Sequence, residues 1–404
     1  MRLALCAHPD FPDTPGAGSE SAASPGSGES CSWPNPGRLA NSLGVPAVPY
    51  RSARHLPEPP NEPRDAVRAA AAVLRAGGLV AFPTETVYGL GADARSASAV
   101  AGVYAAKGRP SINPLIVHVT GEAMARRCAA VWPAEAALLA EAFWPGPLSI
   151  IVPRAEVISE IVTGGGAGVA LRCPNHPMAL ALLFEFDGPL VGPSANKSGR
   201  VSPTTAAHVR GEFGAETVPP ILVLDGGACA AGIESTVVSL LNDEVRVLRP
   251  GVIGPEAIAA VLGRPVLMGA TGVQHTRNAG EAMASPGMLA SHYAPNAPAQ
   301  LVTEAELVVV LNNANERWAV ISHVSVPPTA ARVMQMPETA MAYAKAIYNA
   351  LREADGSGLA IVPGGAAATE RIVIVLPPQQ TGNAEEDAVW QAICDRLMRA
   401  CAAR

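Results

Sequence analysis

The chain has 404 residues, 49% of them apolar and 16% charged, and carries a formal net charge of −6. So much apolar material exceeds one compact core and predicts two packed domains, while no stretch approaches the roughly 18 consecutive apolar residues that cross a bilayer, so no membrane contact is expected. An acidic chain also lacks the basic field that holds a nucleic-acid backbone by counterion release, which confines any RNA contact to a local patch.

Met1 to Ala7 is too short an apolar run for a signal peptide, and Pro9 and Pro12 follow at once, so no export signal is expected. Residues 1–63 form a low-complexity leader crowded with Pro, Gly and Ser, a composition that predicts disorder and leaves open a translation start downstream of it. Order is expected from about Asp65, where Val67, Ala70, Val73 and Leu74 recur at helical spacing behind Pro63, and Gly77-Gly78 ends the run. Leu79 to Phe82 reads as a short buried strand leading into Pro83-Thr84-Glu85-Thr86, and Ser96 to Lys107 as a helix stopped by Gly108. Further strands are predicted over Leu115–Val119, Leu148–Val152, Val169–Arg172, Leu190–Gly192, Ile221–Leu224, Thr236–Ser239 and Val245–Leu248. Together these make one α/β domain over residues 64–263. Residues 264–300 dissolve into small polar residues and read as a linker carrying Ser285-Pro286-Gly287-Met288 and Ser291-His292-Tyr293-Ala294-Pro295. Beyond it, residues 301–404 predict a smaller α/β unit. Its elements are apolar Leu307–Leu311, a helix with Ala340, Ala344, Ile347 and Leu351 on one face, a strand near Leu359–Val362, and a last helix carrying Val389, Ile393 and Leu397.

Seven scattered cysteines, Cys6, Cys31, Cys128, Cys173, Cys229, Cys394 and Cys401, include no C-x-x-C pair, which argues against structural zinc and a disulfide framework and fits a reducing cytoplasm. Chemistry must come from elsewhere. Lys107-Gly108-Arg109-Pro110 places two cations at a helix end, where they can point into a loop and suit a polyphosphate; alternatively Lys107 complements the carbonyl end of its helix and Arg109 is solvated. Ser194 and Asn196 follow a short apolar strand, at the end of a strand where open α/β sheets bind ligands, although Gly, Pro, Ser and Asn also make ordinary turns. Arg172 and Arg249 sit at two further strand ends. Four such cations on an acidic protein suggest a multiply charged anion, though each alone would read as a surface charge. Gly164-Gly165-Gly166 lacks the spacing of a phosphate loop, and His118, alternating with apolar neighbours, reads alone as a structural histidine. With no metal-ligand spacing and no covalent-nucleophile motif, the expected chemistry is positional: anions and a nucleophile are brought together and charge is neutralised.

In order, Pro83-Thr84-Glu85-Thr86-Val87-Tyr88-Gly89-Leu90-Gly91, Lys107-Gly108-Arg109-Pro110, Asn113-Pro114-Leu115, Trp144-Pro145-Gly146-Pro147-Leu148, Pro193-Ser194-Ala195-Asn196, Glu234-Ser235-Thr236 and Leu248-Arg249-Pro250-Gly251 resemble the YrdC-like threonylcarbamoyl-AMP synthases. The likeness spans Asp65 to Leu262. Tyr293 in His292-Tyr293-Ala294-Pro295 and the C-terminal unit resemble the long form of that family, with an extra Rossmann-like domain.

The resemblance implies an α/β fold in which a twisted, largely parallel and mixed sheet curls around a concave basic cavity. It implies that Thr86, His118, Arg172, Ser194 and Ser235 hold L-threonine. It assigns Arg109, Asn113, Asn196, Ser202, Arg249 and Tyr293 to ATP, with Lys107 in the same signature and Lys107 and Arg109 as the catalytic pair. The implied reaction converts L-threonine, bicarbonate and ATP to threonylcarbamoyl-AMP and pyrophosphate, with Mg2+ held through the phosphates. The adenylate would serve N6-threonylcarbamoyladenosine formation at position 37 of tRNAs reading ANN codons, after transfer by a downstream tRNA threonylcarbamoyl transferase machinery and with at most a weak tRNA contact. The linker holding Tyr293 would lie over the cavity and close it. Gly168 departs from relatives that place a hydroxyl residue there. Two other readings stand beside this one. A non-catalytic RNA-binding module is disfavoured by acidity and by aromatics amounting to only 4%. A hydrogenase-maturation carbamoyltransferase would carry zinc-finger cysteines and an acylphosphatase unit that the sequence lacks.

Overall fold

The structure, a computed structural model, describes residues 61–402 apart from 215–216, 218–219, 270–282, 284, 286–291, 316, 330 and 357–368. The leader up to residue 60, most of Ser285-Pro286-Gly287-Met288 and the strand expected near Leu359–Val362 therefore lie outside the described residues.

The first unit runs α1 (Asn61–Arg75), β1 (Leu79–Phe82), β2 (Gly89–Asp93), α2 (Ala97–Lys107), β3 (Ile116–His118), α3 (Glu122–Cys128), α4 (Ala134–Phe143), β4 (Leu148–Pro153), β5 (Gly168–Arg172), α5 (Pro177–Phe186), β6 (Leu190–Val191), α6 (Ala206–Phe213), β7 (Ile221–Val223), β8 (Thr236–Ser239), β9 (Arg246–Arg249), α7 (Pro255–Leu262) and β10 (Leu267–Met268). Its strands form one ten-stranded sheet in the order β10-β9-β8-β4-β5-β3-β6-β2-β1-β7. Parallel pairs (β1 with β7, β3 with β5, β4 with β8, β9 with β10) are interleaved with antiparallel ones (β1 with β2, β2 with β6, β3 with β6, β4 with β5, β8 with β9). The sheet is thus mixed, and the expectation that it is largely parallel is corrected. β2 was not anticipated, because Gly89-Leu90-Gly91-Ala92-Asp93 lacks the β-branched residues that mark strands.

Side-chain alternation places the core. In β1, Leu79 and Ala81 join one apolar cluster while Val80 and Phe82 join another, with Val67, Ala70 and Leu74 of α1, so this strand is covered on both faces. In β3 and β5, Val117, Val169 and Leu171 point into the main core, whereas Ile116 and Ala170 gather with Ile151 and Val237 on the opposite face. His118 and Arg172 lie directly opposite one another in the β3–β5 register, on that same second face. α2 starts at Ser96, whose hydroxyl accepts from the Ala99 amide at 3.3 Å, and stops at Gly108 with φ 60°.

The second unit comprises β11 (Ala299–Val302), α8 (Glu304–Leu311), β12 (Trp318–Ser322), β13 (Arg332–Gln335), α9 (Ala340–Ala354), β14 (Arg371–Val375) and α10 (Ala384–Cys401). Its four strands are all parallel, in the order β11-β14-β12-β13. Ala319, Ile321, Ile372 and Ile374 pack against α9 and α10, while Val320, Val373 and Val375 pack against Leu307 and Leu311 of α8, so both faces are buried as a parallel sheet requires. The apolar run Leu307–Leu311 is helical, started by a Thr303–Glu306 capping box. The cluster beneath α9 and α10 also contains Val87, Val201, Ile233 and Tyr293, so the core of this unit is continuous with residues of the first.

Candidate active site

A cleft opens on the second face of the large sheet, lined among others by Val87, Arg109, Ile116, Arg172, Gly192, Ser194, Arg249 and Tyr293. At one end, the loop after β1 turns on Thr84, whose hydroxyl lies 2.9 Å from that of Thr86 and donates to the Val87 carbonyl at 2.6 Å. Arg172, at the end of β5, donates to Thr86 Oγ1 at 2.9 Å and to the Gly146 carbonyl at 3.3 Å, and pairs with Glu85 at 2.8 Å, both side chains being 4% exposed. Glu85 is anchored in turn by the Asn175 amide at 3.0 Å.

His118 rests edge-on against Phe82, with ring centres 5.4 Å apart. Both its ring nitrogens are buried without a hydrogen-bond partner among the described residues. Burial, reinforced by Arg172, pushes its pKa well below the ordinary range, so the ring is neutral. Gly192 permits this close approach, since a Cβ there would lie 2.6 Å from His118 Nδ1. An unsatisfied buried imidazole departs from the satisfied structural histidine that the strand pattern alone suggests.

At the other end, the Lys107 ammonium donates to the carbonyls of Ser194 and Asn196, and the side chain is turned inward rather than out into the loop. It braces the strand-end turn. Arg109 donates to Asn113 Oδ1 at 2.6 Å and to the carbonyls of Asn113 and Pro114 at 3.1 and 2.8 Å. Arg249, at the end of β9, donates to the Ser235 carbonyl at 2.9 Å and its hydroxyl at 3.1 Å, and Ser235 lies 2.8 Å from Ser149 Oγ. Burial lowers the pKa of all three cations, Lys107 strongly and Arg109 to about 10, with neighbouring positive charges adding to the effect. Asn113 Nδ2 and Asn196 Oδ1 are buried without a partner among the described residues, although Asn196 Nδ2 donates to the Lys197 and Arg200 carbonyls at 2.9 and 2.8 Å.

The linker crosses this end. The Ala294 amide donates to the Gly199 carbonyl at 2.8 Å, and His292 and Tyr293 reach the cleft. Tyr293 is 1% exposed, adopts φ 60°, and its hydroxyl has no partner among the described residues. A bulky residue in the left-handed region is rare and is held there by its surroundings. His292 meets it edge-on at 4.0 Å and Tyr348 stacks on it at 5.6 Å.

Of the candidate site residues, Arg109, Arg172, Ser194, Arg249 and Tyr293 line the cleft, and Thr86, Lys107, Asn113, Asn196 and Ser235 are bonded to residues that line it, while His118 lies against Gly192 of the lining. Ser202 enters it through Glu234, to which its hydroxyl donates at 2.6 Å. At Gly168 a Cβ would lie 2.7 Å from Leu241 Cδ1 and 2.9 Å from Ile151 Cγ2, so a hydroxyl residue there would have to displace one of them. The sequence reading gave no role to Glu85, Glu234, Tyr348 or Arg396. Glu85 and Glu234 stand inside strings that carry the resemblance, and the available signal was a carboxylate between Thr84 and Thr86 in one case and before Ser235-Thr236 in the other. Among the described residues no group of three or more His, Cys, Asp or Glu could hold a metal, and no helix is long and apolar enough to cross a membrane.

Two family models match the chain: one described as telomere recombination over residues 72–251, and one for the C-terminal domain of threonylcarbamoyl-AMP synthases over residues 253–402. The chain is 38% identical over 309 residues to the threonylcarbamoyl-AMP synthase of Pyrococcus abyssi, covering 73% of this chain and 87% of that protein. It is 44% identical over 239 residues to the Bacillus subtilis enzyme of the same name, covering 59% of this chain and 66% of that one. The crystal structure of P. abyssi Sua5 complexed with L-threonine superposes with a TM-score of 0.71 at 33% identity, covering 84% of this chain and 94% of that one.

Proposed function

The chain belongs to the threonylcarbamoyl-AMP synthase family in its long, two-domain form, and on that premise we propose that it makes threonylcarbamoyl-AMP from L-threonine, bicarbonate and ATP. The threonine amine attacks the bicarbonate carbon with loss of water, giving a carbamate. A carbamate oxygen then attacks the α-phosphorus of ATP, and pyrophosphate leaves with the electron pair of the broken bond. The transfer is adenylyl transfer, which makes the enzyme a nucleotidyltransferase. The product, a mixed anhydride, is consumed by a downstream machinery that transfers its threonylcarbamoyl group to tRNA.

One observation carries this reading. In and around a single cleft, which Glu234 also lines, lie the buried cations Lys107, Arg109 and Arg249, which form no direct ion pair among the described residues, and buried polar atoms of His118, Asn113, Asn196 and Tyr293 that lack partners among them. Uncompensated buried groups of this kind are costly to fold, and a ligand with phosphates, a carboxylate and hydroxyls would satisfy them together. In the proposed assignment Arg172 forks onto the threonine carboxylate, with Thr86, His118, Ser194 and Ser235 reading the remaining polar atoms. Arg109 and Arg249 hold the phosphates, Asn113, Asn196, Ser202 and Tyr293 hold the nucleotide, and Lys107 keeps the Ser194–Asn196 turn in place while adding positive charge. A site that bonds the threonine hydroxyl would reject valine. Magnesium would arrive on the phosphates, and no step here depends on a protein-bound metal. The free thiols of Cys128, Cys173, Cys229, Cys394 and Cys401 support a reducing cytoplasm as the setting.

Pyrophosphate release by the purified protein tests the proposal. The expected result is release that requires both threonine and bicarbonate, falls with serine and vanishes with valine. Release that is absent, or indifferent to threonine, would overturn it.

A further inference from the structure

Glu234 stands in the first unit, immediately before Ser235, yet much of what satisfies it comes from the second. Its Oε2 accepts from the Tyr348 hydroxyl of α9 at 2.8 Å and from Arg396 Nε of α10 at 3.2 Å, while Oε1 accepts from Ser202 at 2.6 Å. The Arg396 side chain is 0% exposed and that of Glu234 8%. The same guanidinium lies over the Tyr293 ring, 5.5 Å from its centre, and pairs with Asp395 at 3.1 Å.

α9 is seated closely enough to hold this geometry. Gly232, two residues before Glu234 and at φ 79°, faces the α9 backbone, and a Cβ there would lie 2.4 Å from the Ala344 carbonyl oxygen. Only glycine combines that conformation with that approach. One turn beyond Tyr348, Arg352 donates to the Val201 carbonyl and lies 3.5 Å from Glu212, so α9 also grips the chain beside Ser202. Burial alone would raise the Glu234 carboxyl, but Arg396 first, then Arg249 and the bonds from Ser202 and Tyr348, leave it below the ordinary carboxylate range.

We propose that Arg396 and Tyr348 are positioning residues for nucleotide binding: by holding the Glu234 side chain in place they set Ser202 and the Tyr293 ring, which makes the second domain part of ATP recognition. This rests on the proposed assignment of the cleft and adds to it a role beyond anchoring the linker. Arg172, proposed to hold the threonine carboxylate, is fixed by Glu85 and Thr86 without any contact to Glu234 or Arg396, and Ser235 has an anchor of its own in Ser149 besides the one it shares with Arg249. The two ligands should therefore respond differently to the same change.

The test uses the full chain as wild type, Arg396→Met, Tyr348→Phe and E234Q/R396M, with titration of a non-hydrolysable ATP analogue and of L-threonine, and thermal melts. Removing one partner of a buried pair leaves the other uncompensated, so Arg396→Met should lower Tm and weaken analogue binding by about tenfold or more, with threonine affinity within about twofold. Tyr348→Phe should act in the same direction less strongly. The double variant strands neither Glu234 nor Arg396, and Asp395 keeps its pair with Arg399 at 3.0 Å, so it should recover much of the Tm but not the nucleotide affinity. Equal loss of both ligands, unchanged analogue affinity in folded Arg396→Met and Tyr348→Phe, or recovery of affinity in the double variant would each overturn the inference. A wild type that binds both ligands yet releases no pyrophosphate counts against the assigned reaction alone, and the affinity comparison still decides this one. A wild type that binds no nucleotide overturns both.

Discussion

The two ends of the cleft set the same residue type in opposite electrical surroundings. Arg172 meets Glu85 at 2.8 Å, with both side chains buried, so this end carries its own counter-charge. Lys107, Arg109 and Arg249 are bonded to carbonyl, amide and hydroxyl oxygens, and among the described residues none of them forms an ion pair. A matched arginine and carboxylate suit a zwitterion, which brings one charge of each sign and no net charge. Unmatched buried cations suit a polyanion, whose binding relieves the repulsion and desolvation that folding imposed. On the proposed assignment, one cleft would distinguish an amino acid from a nucleotide by where its cations have a carboxylate in direct contact and where they do not.

The sharpest way to break this comparison is to remove an arginine from each end. Arg172→Ala strands Glu85 in a dry site and should destabilise the protein by about 3–5 kcal/mol, read by denaturant unfolding. Arg249→Met strands no carboxylate in direct contact but leaves the Ser235 carbonyl unpaired, so it should cost less stability, about 1–3 kcal/mol, while pyrophosphate release falls by roughly 10²–10³, the scale of losing one preorganised charge donor. Equal destabilisation of the two variants would erase the distinction between the ends. A gentler probe keeps the protein intact. Inorganic tripolyphosphate alone should stabilise the wild type, by about 2.7 kcal/mol at a hundredfold excess over its Kd, and Arg249→Met should shrink that gain. A gain of the same size in Arg249→Met would show the anion bound elsewhere.

How much of this was legible before folding follows from the range of each interaction. α1 and α2 were readable because their signals are local: an apolar stripe at Val67, Ala70 and Leu74, a Ser96 cap and a Gly108 stop. The strand-end cations were readable as an excess on an acidic chain, and the resemblance gathered them into one site. β2 was missed because what forms it is its pairing with β1 and β6, not its glycine-rich composition. The charge asymmetry was not readable at all. That Glu85 meets Arg172 while no carboxylate pairs with Arg109 or Arg249 depends on contacts between residues distant in sequence. Arg396 is an intermediate case. It falls on the buried stripe of Val389, Ile393 and Ala400 in α10, where an arginine must find a partner, but only the fold names Glu234, 162 residues earlier, as that partner.

The smallest expected effect bears on the same asymmetry through protons. Burial depresses Lys107 well below the usual lysine range and His292 well below 6.5, in both cases with neighbouring cations adding to the effect. A bound polyphosphate supplies the missing negative charge and raises both pKa values, so nucleotide binding should draw protons from the medium. Threonine, arriving with no net charge at the end that holds Glu85, should draw fewer. The sign for the free protein follows from the same depression: between the folded pKa of Lys107 and about 10.4 the unfolded chain binds more protons, so the Lys107 contribution to stability grows as pH rises through that window. Calorimetric titration at pH 8, above the last phosphate ionisation of about 6, separates protein protons from ligand protons. Enthalpies for an ATP analogue measured in buffers of different ionisation enthalpy should show more proton uptake than those for threonine, and Lys107→Met should reduce the difference. Equal uptake for the two ligands would mean that the cleft does not divide its charge as the ion pairs indicate.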